Sequence, residues 1–142
     1  MKSFSNLAHE IMYLSNALAS VSGHPDGYLR IEWHTVPMVS TEVRLLFDQV
    51  LNLLRQEQFH RLFTERTGMP PLHTHDCQWV KSEWAPRAAR EAGLTHCAIV
   101  ETQPDLHQRG TPAATLSAEN PRPQFRFFDS FTQAEAWIRV AS

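Results

Sequence analysis

Apolar side chains recur along this chain at two spacings, and the switch between them marks its elements. From Ser40 to Gln58 they fall three and four apart. Val43, Leu46, Phe47, Val50, Leu53 and Leu54 share one face, and Arg44, Asp48, Asn52 and Arg55 lie opposite. That period predicts an amphipathic helix. Ser40 or Thr41 is its expected cap, Glu42 suits the positive end of the helix, and Arg44 and Asp48 stand four apart for a surface pair. Between Leu18 and Trp33 the period drops to two. Leu29, Ile31 and Trp33 alternate with Arg30, Glu32 and His34, and the turn chemistry of Gly23-His24-Pro25-Asp26-Gly27 precedes them. A β-hairpin is expected, its second arm apolar on one face and polar on the other.

The stretch from His60 to Val100 organises the rest. His60–Glu65 reads as a strand, Arg66-Thr67-Gly68-Met69-Pro70-Pro71 breaks it, and His75–Ala92 reads as a helix starting near Thr74 to Asp76. Trp79, Val80, Trp84 and Ala88 form its buried stripe. Pro86 should kink it, and Gly93 is the expected left-handed stop. Thr95–Val100 is the next strand. Strand, helix, strand is a βαβ unit, which implies a parallel sheet with a helix on its face. Gln124–Asp129 is a further strand. Ser130 and Gln133 have capping-box spacing, and Ala134, Trp137, Ile138 and Ala141 mark the inner face of a last helix. Residues 1–15 carry Leu7, Ile11 and Leu14 at helical spacing and predict a short leading helix or an irregular segment. Residues 102–123, with five of the chain's prolines and glycines, predict a long Pro-rich loop holding at most a short helical piece. The fold class is therefore α/β, a mixed sheet of about five strands with helices packed on it, in the order β-β-α-β-α-β-(α)-β-α.

Composition narrows the functional classes. A length of 142 residues fits one domain, 1–142, long enough to bury a core without staples. The net charge of −2 lacks the basic excess of a nucleic-acid binder. No apolar run approaches the roughly 20 residues of a membrane span, and Met1-Lys2-Ser3-Phe4 does not open a signal peptide. Cys77 and Cys97 fit a reducing compartment, so a cytoplasmic protein is expected.

The element order and several motifs resemble the STAS-like family, the fold of SpoIIAA-like anti-sigma-factor antagonists and of small bacterial STAS-like proteins. The stretches that carry the resemblance are Leu29-Arg30-Ile31-Glu32-Trp33, Met69-Pro70-Pro71, Gln78-Trp79-Val80, Glu83 to Ala88, Ala92-Gly93-Leu94, Ala98-Ile99-Val100, Phe127 to Ser130 and Glu135 to Ile138, spanning about residues 18–140. The resemblance implies one domain, no cofactor, no catalysis, and a regulatory or protein-interaction role. Family members carry a phosphorylatable serine in an Asp-Ser-x-Gly turn. Glu65-Arg66-Thr67-Gly68 occupies that place here, with the hydroxyl of Thr67 one position out of step.

Three readings of function follow. The first is a non-enzymatic interaction module that docks a protein partner or a second copy of itself, through a helix face and the loop from Arg66 to Pro71. Arg66, Thr67, Met69, Trp79, Trp84 and Arg87 are its candidate binding residues. The second is a small apolar-ligand binder, with a lipid-like or aromatic molecule between sheet and helices against Trp79, Trp84, Phe63 and Phe127. The third is a metal or thiol site at His73, His75 and Cys77, because imidazole and thiolate are good zinc ligands and a Cys–His pair can make a nucleophile. A cluster of Arg61, Arg87 and Arg90 could form an anion site. Phosphate-cradling motifs are absent: the five glycines fall in neither GxGxxG nor GxxxxGK[ST] order.

Overall fold

The computed structural model describes residues 11–36, 39–66, 73–101 and 123–141. Six strands form one sheet in the spatial order of the sequence: β1 (Ile11–Ser15), β2 (Ala19–His24), β3 (Tyr28–Trp33), β4 (Arg61–Glu65), β5 (His96–Val100) and β6 (Gln124–Phe128). The first three pair antiparallel and the last three join in parallel from β3 onward, so the sheet is mixed. Helix α1 (Ser40–Glu57) connects β3 to β4. Between β4 and β5 run α2 (Thr74–Trp79), a π-helical segment (Val80–Trp84) and α3 (Ala85–Ala92), continuous in backbone conformation. Helix α4 (Phe131–Val140) follows β6.

Period two sorts the sheet into two faces. Ala19, Val21, Leu29, Ile31, Trp33, Leu62, Cys97 and Phe125 point to the first face and share a core with α1 and the 74–92 helix. Tyr28, Phe63, Ala98 and Val100 point to the second face, where Ala134 and Ile138 of α4 cover them. On β2 and β3 that second face also carries Ser20, Ser22, Arg30 and Glu32. Among the described residues the parallel strands are covered on both faces, as crossover connections require. Among the described residues no helix is long and apolar enough to cross a membrane.

Several expectations are met at the residue level. The β2–β3 hairpin turns at Gly27, whose φ of 95° suits glycine. Gly93 ends α3 at φ 73°, its N–H donating to Ala89 and that of Leu94 to Ala88. Ser130 Oγ accepts from the Gln133 N–H at 3.2 Å.

Others are corrected. Ile11–Ser15 is a strand, not a leading helix, because β2 offers it a partner edge, and the sheet has six strands rather than about five. Residues 1–10 lie outside the described residues, as does the Pro-rich stretch from 102 to 122. The cap of α1 is Val39 without a side-chain bond, since Ser40 Oγ is committed to Asp76 at 2.8 Å. Arg44 and Asp48 do not pair with each other: Arg44 meets Asp76 and Asp48 meets Arg87. Pro86 lacks the N–H that would donate four residues back. The π-helical register immediately before it, closed by the Ala85 N–H on Val80 O, takes up that break.

Candidate functional site

The parallel strands β3 to β6 all end at one edge of the sheet, the usual place for a ligand in such folds. Every first-face residue near those ends has the same pleat phase: Trp33, Thr64, Arg66, Ile99, Glu101 and Phe127. Together with Phe47 of α1, and Cys77, Val80, Lys81 and Trp84 of the 74–92 helix, they wall an open cleft, whose space with the solvent in its mouth included is about 560 Å³. Cys97 and Phe125 complete its lining. The walls are largely aromatic and aliphatic, the usual lining of a small-molecule site.

The polar groups in this cleft are few. Arg66 is 3 % exposed and Glu101 4 %. Arg66 Nε lies 3.4 Å from Glu101 Oε2, and the guanidinium sits 5.0 Å from the centroid of the Trp33 ring. Backbone bonds hold both residues in place: the Arg66 N–H donates to Val100 O at 2.8 Å and the Glu101 N–H to Phe128 O at 3.0 Å. Burial pushes the Arg66 guanidinium down from its ordinary pKa, and the fields of Glu101 and Cys77 oppose that push. Lys81 is half-buried on the helical wall. Burial lowers its pKa as well, against an upward pull from Cys77. The Trp33 indole Nε1 is buried with no hydrogen-bond partner among the described residues. Burial raises the Cys97 thiol far out of the physiological range, so this wall cysteine is inert.

The candidate residues distribute unevenly around this geometry. Arg66 is at the cleft, held inside the fold by Glu101. Thr67 and Met69 lie outside the described residues. Trp84 is fully buried, at the cleft and in the core at once. Trp79 is half-buried outside the cleft, edge-on to Phe47 at 6.4 Å and under the Arg44 guanidinium at 5.1 Å. Arg87 pairs with Asp48 across the α1–α3 contact. Phe63 points to the opposite face of the sheet, against Tyr28 and Phe131, because it is one pleat out of phase with Thr64. Phe127 does line the cleft.

The histidine cluster separates. His73 and His75 stack with centroids 5.8 Å apart and are exposed. His75 Nε2 is 3.2 Å from Ser40 Oγ and 3.8 Å from Asp76 Oδ1, whereas Cys77 turns toward the cleft. Among the described residues no group of three His, Cys, Asp or Glu side chains is placed to hold a metal. Asp76, fully buried, receives Ser40 at 2.8 Å and Arg44 at 3.3 Å, and so ties the start of α2 to the start of α1. The three arginines also disperse: Arg61 donates to backbone carbonyls, Arg87 pairs with Asp48, and Arg90 is exposed.

Sequence reasoning missed Thr64, Lys81, Ile99 and Glu101 as cleft residues. One signal was available for Lys81. It occupies the apolar stripe of its helix, four residues after Cys77 and three before Trp84. Comparisons with family models, with curated proteins and with solved structures return no match, so the functional reading rests on this chain's own residues.

Proposed function

We propose that this chain binds a small, largely apolar molecule in the cleft at the carboxyl ends of β3 to β6. The observation that carries the reading is the cleft itself: an open space at the strand ends walled by Trp33, Phe47, Trp84, Phe125 and Phe127, with few polar groups among them. An open, largely apolar cleft at the carboxyl ends of parallel strands is the usual setting of a small-molecule site. Two tryptophans in the wall make occupancy measurable. Titration of the purified protein with decanol should shift the tryptophan emission saturably at one molecule per chain. A native mass spectrum taken before any extraction should show an added mass of a few hundred daltons or a clean chain. A linear, unsaturable emission response to decanol would sink the reading, whatever the spectrum shows.

A second reading, an interaction module that docks a second copy of itself, is supported by β1 as the edge strand among the described residues. This strand ends the sheet, and Ile11 and Met12 on it are 59 % and 58 % exposed. An apolar, unshielded edge is a template for pairing with another strand. Under this reading the same native spectrum shows a dimer that Met12→Lys converts to monomer. A wild-type monomer at tens of micromolar rules the docking out.

A further inference from the structure

The charges in the cleft do not cancel. Arg66 and Glu101 form one ion pair at 3.4 Å and neutralise each other. Among the described residues that line the cleft, Lys81 is the remaining cation. Its helical neighbours three and four residues away are Cys77, Gln78, Trp84 and Ala85, none of them acidic. Among the described residues it makes no ion pair or hydrogen bond. Its position is unusual for a lysine. On the 74–92 helix the inward stripe is Cys77, Val80, Lys81, Trp84, Ala85 and Ala88, of which Val80, Trp84, Ala85 and Ala88 are buried. A charge set in an apolar stripe loses hydration and needs a counter-charge. The Trp33 indole N–H, on the same cleft, is buried and has no acceptor among the described residues.

We propose that the occupant of this cleft is an amphiphilic carboxylic acid, its carboxylate paired with the Lys81 ammonium and its apolar body laid against Trp84, Ile99, Phe125 and Phe127. The assignment rests on the cleft being a ligand site, as proposed above. A carboxylate supplies a counter-charge for Lys81 and an acceptor for the Trp33 indole N–H. A phosphate monoester is a poorer fit. Its second charge would find no second unpaired cation among the described residues and would face Glu101.

The test compares decanoate, decanol and decyl phosphate on the full chain by calorimetric titration, for the wild type, Lys81→Met and Lys81→Arg. The wild type should bind decanoate roughly tenfold or more tighter than decanol, the value of one charge-assisted hydrogen-bonded contact. Lys81→Met should lose that preference while still binding decanol, and Lys81→Arg should keep most of it. Decanol binding by the Met variant also reports that the cleft is intact. Equal wild-type affinity for decanoate and decanol, or an undiminished preference in Lys81→Met, overturns the acid assignment and leaves the apolar cleft standing. Tighter binding of decyl phosphate than of decanoate overturns the carboxylate in favour of a phosphate head. If the wild type binds none of the three, the cleft reading fails and the assignment falls with it.

Discussion

The Trp84 indole donates its N–H to the carbonyl of Phe47 at 2.7 Å and sets its ring edge-on to the Phe47 ring at 5.0 Å. It is fully buried, so one side chain both joins the 74–92 helix to α1 and forms part of the cleft wall. Trp84→Phe keeps an aromatic ring but removes the donor and part of the volume. A loss of about 2 kcal/mol in a urea melt is expected. A role confined to docking a partner would leave the melt unchanged. Tryptophan in a helical stripe reads the same from sequence whether it is core, wall or docking surface, because the three differ only in what lies opposite. Trp79 and Trp84 are five residues apart on one continuous helix, yet one is half-buried under Arg44 and the other fully enclosed. Polar residues in an apolar pattern are the more legible sign. Lys81 breaks its stripe, and Arg66 and Glu101 each follow a strand end in the pleat phase of the apolar residues before them. Their meeting is a matter of parallel register, Glu65 opposite Val100, which no local pattern encodes.

Helix α4 is fastened to the sheet by an arginine outside it. Arg61, at the start of β4, donates to Ile138 O at 2.7 Å and Arg139 O at 2.9 Å, carbonyls in the last turn that lack helical partners. The other terminal nitrogen donates to Asp26 O at 2.7 Å and Gly27 O at 3.2 Å in the β2–β3 turn. Arg61→Met retains the aliphatic stem and removes all four bonds. It should cost about 2 kcal/mol. Hydrogen exchange should speed first in the last turn of α4, ahead of α1, and uniform acceleration across both helices would contradict this account. At this scale the chain was legible where one strong local period coincided with its environment. Helix α1, the β2–β3 hairpin and β6 followed from spacing alone. Strand β1 did not, since Leu7, Ile11 and Leu14 match a helical period and only the neighbouring edge of β2 selects the extended form. The π-helical segment was visible merely as a proline. The expected kink at Pro86 is expressed as a change of register one turn earlier, where Val80 and Trp84 both stay buried.

The molecule as a whole has one sheet serving two cores, and the cleft lies where the first of them is left open. Helix α1 and the 74–92 helix pack against the first face; Cys97 and Phe125 belong to that core and to the cleft wall at once, while Ile99 and Phe127 line the cleft. Unfilled apolar space forgoes dispersion contacts, so this arrangement is less stable than a closed core of the same sequence length. A binding cleft and a packing defect respond differently to being filled. Ile99 is half-buried on the β5 wall, and Ile99→Phe would place additional apolar volume in the space. Filling should raise stability by about 1 kcal/mol, some 4 °C in Tm for a chain of this size, measured by calorimetry. The same variant should bind decanol at least tenfold more weakly, because ligand and ring compete for one volume. A rise in Tm with decanol binding unchanged would mean that the occupant sits elsewhere. A fall in Tm would mean that the β5 wall is already packed and that overfilling strains it. Only the joint outcome, a more stable chain that has lost its ligand, fits a cleft kept open for binding at the expense of the fold.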